Sequence, residues 1–91
     1  MKSQNIVTTT LPALSIGQTG RVVQLHTRRP VDQRLLALGL MPGMLVRLVR
    51  TAPLGDPIEV EFQNQNVSLR KAEAESVEVE LLPATPPSSG A

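Results

Sequence analysis

Two five-residue runs in this chain alternate without exception: Ile58-Glu59-Val60-Glu61-Phe62 and Val77-Glu78-Val79-Glu80-Leu81. Successive side chains of an extended chain point to opposite faces, so each run carries one aliphatic face and one carboxylate face. A helix would scatter that pattern around its axis, and a strand buried on both faces would not carry glutamate at every second position. The two runs therefore predict antiparallel strands, packed on one side and wet on the other.

Three further runs read as strands: residues 21–26, after a turn bracketed by Gly17 and Gly20, residues 45–50, and residues 67–70. Residues 63–66 form the hairpin connection, where asparagine tolerates the left-handed backbone region. Residues 31–38 are good helix formers, with Pro30 in the first turn and Gly39 where a left-handed C′ residue is wanted. This predicts a helix of about two turns, with Leu35 and Leu40 paired across a Schellman cap. Leu35, Leu36, Leu38 and Leu40 are expected to plug one end of the sheet assembly. Residues 71–76 are too few for a free helix and predict a single helical turn. The expected fold is mostly β: a small antiparallel barrel of about five strands, with one short α-helix and a helical turn. Closing the barrel would remove exposed strand edges.

Ninety-one residues make one domain. The packed part is expected to run over residues 11–82, with a flexible lead-in at 1–10 and a disordered, polyproline-prone tail at 83–91. The tail's Pro83-x-x-Pro86 spacing is read as chance rather than as a recognition motif. There is no cysteine, and residues 1–10 lack the apolar run of a secretory leader, so the chain is expected to be cytosolic. No stretch approaches the roughly 18–20 apolar residues that span a bilayer.

Several chemistries fall away on residue types. His26 is the single histidine, with no nucleophile-elbow pattern around any serine, so no enzyme is expected. A zinc site takes about four ligands, mostly Cys and His. His26 with Asp32, or with a carboxylate of a second copy, is the one candidate pair, and no cofactor is assigned. Phe62 is the sole aromatic residue and the net charge is +1, which removes both nucleic-acid stacking and proline-peptide capture. The charge is nevertheless divided. Arg21, Arg28, Arg29, Arg34, Arg47 and Arg50 precede position 51, whereas Asp56, Glu59, Glu61, Glu73, Glu75, Glu78 and Glu80 follow it. Pairing across the sheet is the first explanation, and a two-signed docking surface is the second.

The blocks Leu14-x-x-Gly17-x-x-Gly20, Arg34-Leu35-Leu36-Ala37-Leu38-Gly39-Leu40-Met41-Pro42-Gly43, Ala52-Pro53-Leu54-Gly55-Asp56-Pro57-Ile58 and Val67-Ser68-Leu69-Arg70-Lys71-x-x-Ala74 follow one another in order. Together they resemble the ferrous iron transport protein A (FeoA) family over residues 11–82. The resemblance implies an SH3-like barrel that supports ferrous iron uptake by contacting the cytosolic part of the FeoB-type membrane permease. The SH3-like domain of iron- or manganese-dependent repressors is the nearest alternative within that fold, and a free-standing regulatory or oligomerisation module is a third. The family blocks cluster at the helix, its following loop and the 52–57 turn. Arg28, Arg29, Arg34, Arg50, Leu54 and Asp56 are therefore the candidate partner-contact residues. Gly39, Pro42, Gly43, Pro53, Gly55 and Pro57 are read as turn formers. A homo-oligomer is compatible with the small core, and direct membrane insertion is not expected.

Overall fold

The computed structural model describes residues 7–26 and 30–82, with the backbone alone at residues 30–32. Strands β1 (Thr8–Thr10), β2 (Thr19–Leu25), β3 (Leu45–Thr51), β4 (Ile58–Phe62), β5 (Gln65–Leu69) and β6 (Val77–Leu81) form one sheet in the order β1-β6-β2-β3-β4-β5. Every pairing is antiparallel. A 3₁₀ turn (Leu11–Ala13), helix α1 (Pro30–Ala37) and helix α2 (Lys71–Ala74) complete the described elements.

Both alternating runs are strands with the expected bounds, and their aliphatic residues are core. Ile58, Val60, Phe62, Val77 and Val79 are all buried, joined by Val22, Val46, Leu48 and Leu69 from the other strands. Register slips between Val22 and Gln24 in β2 and between Leu48 and Arg50 in β3. Such bulges bend a strand and increase its twist, which lets the sheet curve over a single core.

The structure departs from the sequence expectation in three places. A sixth strand, Thr8–Thr10, lies inside the segment expected to be a flexible lead-in. Three β-branched threonines pair with Glu80, Val79 and Glu78 on the outer edge of β6, a partner that no local pattern reveals. Secondly, the ladder stays open: β1 and β5 are its two ends. Thirdly, Leu36 is 44% exposed while Leu35 and Leu40 are buried and Leu38 is partly so. Consecutive helical residues sit about 100° apart, so Leu35 and Leu36 cannot both face inward. The Pro-rich segment 83–91 lies outside the described residues.

The helix end follows the expected cap. Gly39 has φ +95°, its N–H donates to the Leu36 carbonyl at 2.9 Å, and the Leu40 N–H donates to the Leu35 carbonyl at 3.1 Å. These are the two bonds of a Schellman motif. The β4–β5 hairpin is tighter than expected: Gln63 and Asn64 alone turn the chain, at φ +52° and +62°. Positive φ at both central positions identifies the type I′ turn, which matches the twist of the flanking strands.

Candidate interaction surface

The divided charge resolves first into ladders. Arg21 faces Glu80 between β2 and β6, Arg47 faces Glu61 between β3 and β4, and Arg50 faces Glu59. Their side chains meet accordingly: Arg21 Nε lies 3.8 Å from Glu80, Arg47 Nε donates to Glu61 at 3.1 Å, and Arg50 Nε is 3.0 Å from Glu59. The sheet order sets a basic strand beside an acidic one twice, so most of the asymmetry is internal pairing on the wet face.

One end of the molecule is organised differently. The 52–57 turn is closed by Gly55 N–H donating to the Ala52 carbonyl at 2.7 Å and Ala52 N–H donating to the Pro57 carbonyl at 2.9 Å. Pro53 occupies the position where its fixed φ starts a turn, and Leu54 rides at the tip, 96% exposed. Asp56 Oδ1 accepts the Lys71 N–H at 2.9 Å, tying the turn to α2. Glu73, also on α2, is 3% exposed and takes Arg34 Nη1 on both carboxylate oxygens at 2.7 Å, tying α2 to α1. Its Oε1 also accepts the Arg70 N–H at 3.0 Å. Helix α2 thus links the two regions in which the candidate residues cluster. Two shallow cavities meet at Pro57 and Ser68: about 270 Å³ lined by Arg34, Pro57, Ser68, Arg70 and Glu73, and about 240 Å³ lined by Arg50, Pro53, Pro57, Glu59 and Ser68, among others.

The structure therefore ties Arg34 and Asp56 to α2, sets Arg34 and Arg50 in the walls of the two cavities, and leaves Leu54 at the exposed tip of the 52–57 turn. Arg34, Arg50 and Asp56 already have internal partners, whereas Leu54 has an almost wholly exposed side chain. Arg28 and Arg29 lie outside the described residues, as does the side chain of Asp32. His26 Nε2 sits 3.3 Å from Glu78 Oε1, a pairing that sequence spacing did not anticipate because β2 and β6 meet only in the folded sheet. Among the described residues no group of three or more His, Cys, Asp or Glu is placed to hold a metal ion. No helix among them is long and apolar enough to cross a membrane.

Sequence reasoning missed a second exposed surface. Val23 and Arg21 share the outer face of β2, and Leu45 lies directly across from Arg21 on β3. The Met41–Met44 turn joins this area, Gly43 N–H donating to the Val22 carbonyl at 2.7 Å. Pro42 and then Gly43 at φ +94° give it the type II form. Val23, Met41 and Leu45 are all exposed. Met41 beside a Pro-Gly pair was the one available signal.

The family model described as the FeoA domain matches residues 9–81. The chain is 35% identical over 81 residues to the Fe(2+) transport protein A/Fe(2+) transporter FeoB fusion protein of Porphyromonas gingivalis, covering 89% of this chain and 10% of that protein. This chain thus spans about a tenth of the fusion protein's length. It is 30% identical over 73 residues to the putative Fe(2+) transport protein A of Campylobacter jejuni, covering 80% of this chain and 99% of that one. Among solved structures it is similar to Stenotrophomonas maltophilia FeoA, a prokaryotic SH3 domain protein crystallised with zinc. That match has a TM-score of 0.69 and 31% identity, over 78% of this chain and 88% of the other. The SH3-like sheet, the ordered turn blocks and these matches agree, and the chain belongs to the FeoA domain family, a family of ferrous iron transport.

Proposed function

We infer that this chain is a non-enzymatic accessory domain of ferrous iron uptake, acting on the cytosolic side by contact with an FeoB-type permease. The observation that carries the reading is the Porphyromonas gingivalis relative, in which a transport protein A and the transporter FeoB share one polypeptide. Fusion holds two partners at high effective concentration, so the same contact made between separate chains must rest on a docking surface. The surface assigned to it is the α1–α2 end, with Leu54 at its tip and Arg28, Arg29, Arg34, Arg50 and Asp56 as the charged candidates. An exposed apolar residue inside a polar, ion-paired rim is the usual anatomy of an interface anchor.

The test is saturation binding of the purified chain to detergent-solubilised permease, with the nucleotide state varied and the isolated GTP-binding domain as a second ligand. Saturable binding that Leu54→Asp weakens supports the adaptor and its surface. Absence of binding in every nucleotide state overturns it. The alternative is a free-standing regulatory or oligomerisation module, favoured by the exposed Val23, Met41 and Leu45. Concentration-dependent association of the chain alone, abolished by Leu45→Asp, would support that instead.

A further inference from the structure

Among the described residues β5 is bonded to β4 alone, and the geometry of its hairpin identifies which groups are left over. In a hairpin turned by two residues, the pair closing the turn exchanges both backbone hydrogen bonds. That pair is Phe62 and Gln65. Bonded and non-bonded pairs alternate from there, so Val67 and Leu69 are tied to β4, whereas Asn66 and Ser68 direct their N–H and C=O groups away from it. An independent contact agrees: Arg34 Nη2, reaching in from α1, approaches the Ser68 carbonyl at 3.5 Å.

Among the described residues only Arg34 reaches this edge, at the Ser68 carbonyl. Sheet edges are commonly protected by charged residues, proline or bulges, and Gln65-Asn66-Val67-Ser68-Leu69 contains no charged residue or proline and pairs with β4 without a register shift. Val67 and Leu69 also carry the aliphatic face of the sheet out to its margin, Val67 only half-buried against the core. An added strand would extend that face and needs apolar residues at alternate positions. The other alternate positions are set by charge. Arg21, Arg34, Arg47 and Arg50 each have a carboxylate partner, while Arg70 and Lys71, which follow β5 directly, form no ion pair among the described residues. Of the acids beside them, Glu73 is buried under Arg34 and Asp56 holds the Lys71 N–H. Ser68 lies between the two cavities already described, and Arg34 and Arg70 line the larger.

We propose that the free edge of β5 is a strand-addition site for an extended segment of a partner protein in which apolar and acidic residues alternate. Backbone bonds to Asn66 and Ser68 supply the register, and a carboxylate beside Arg70 and Lys71 supplies the selectivity. The proposal stands on the edge itself and not on the identity of a permease.

The experiment titrates the full chain, labelled with nitrogen-15, with three soluble capped peptides: one alternating valine and glutamate, one alternating valine and lysine, and the acidic peptide N-methylated at alternate backbone amides. The expected result is saturable shifts at the Asn66 and Ser68 amides, with slowed exchange of both, for the acidic peptide alone. Arg70→Glu, at an exposed position, should weaken that binding by about tenfold. Equal binding of the lysine peptide overturns the acidic selectivity. Undiminished binding of the N-methylated peptide, or shifts that avoid β5, overturns strand addition. Because no permease is present, the outcome does not depend on whether the permease contact exists.

Discussion

Arg34 Nη1 on α1 bridges both carboxylate oxygens of Glu73 on α2 at 2.7 Å, across 39 positions of sequence. Glu73 is almost fully buried, whereas the Arg34 side chain is about half-exposed, at 49%. The acid is therefore the partner that cannot do without the bond. Removing Arg34 leaves a carboxylate away from water with the Arg70 N–H as its remaining donor in view. Arg34→Ala is expected to cost about 2 kcal/mol in urea unfolding, the range for hydrogen bonds to charged groups. Arg34→Ala combined with Glu73→Gln should recover part of that loss, because the second change removes the stranded charge. A double variant no better than the single one would show that packing, not charge, explains the cost.

Gly20 and Gly39 are predicted to fail for different reasons. At Gly39 the backbone is left-handed and a Cβ would meet nothing closer than Gln63 Oε1 at 3.9 Å, so strain is the whole penalty. Gly39→Ala should cost about 1–2 kcal/mol. At Gly20 an added Cβ would lie 3.0 Å from Val79 Cβ and 3.3 Å from the Glu80 carbonyl, between the paired strands β2 and β6. Gly20→Ala should cost about 1–3 kcal/mol through overpacking. Amide exchange separates them: loss of protection should be confined to the end of α1 for Gly39→Ala and spread along β2 and β6 for Gly20→Ala.

Leu48 and Leu54 provide a paired test of core against surface. Leu48 is buried within the aliphatic cluster, and Leu48→Ala is expected to lose about 2–5 kcal/mol. Leu54→Asp, at the exposed tip of its turn, should change stability by no more than about 0.5 kcal/mol. Thermal unfolding of both variants decides the matter, and a large loss at Leu54 would remove it as a contact residue.

The cross-strand pairs on the wet face should contribute little individually. Glu59→Gln breaks the ion pair with Arg50 and alters the bond that Glu59 Oε2 accepts from Asn66 Nδ2 at 2.8 Å. A stability change of at most about 1 kcal/mol is expected, shrinking as salt is raised. A larger, salt-insensitive change would mean that the pair also sets the register of β3, β4 and β5.

Much of the fold was legible because the pattern was local. Alternation at residues 58–62 and 77–81 marked two strands to the residue, and Gly39 followed by Leu40 marked the end of α1, since strand and cap geometry depend on nearest neighbours. Thr8–Thr10 was not legible: three polar β-branched residues form a strand only where an edge such as that of β6 awaits them. The roles of the candidate residues were similarly hidden. Pairing of the divided charges was expected, but not with whom: the partners of Arg34, Arg50 and Asp56 are Glu73, Glu59 and the Lys71 amide, 39, 9 and 15 positions away.

The sequence by itself determined which strand residues face the core and where the turns fall, because these follow from side-chain period and backbone freedom. Only the tertiary structure decided which charges cancel and which edges stay open. Strand order places β6 beside β2 and β4 beside β3, neutralising opposite halves of the chain against each other, and it leaves β5 at the margin with Asn66 and Ser68 facing outward. Neighbourhood across a sheet is a property of topology, and local sequence carries no record of it.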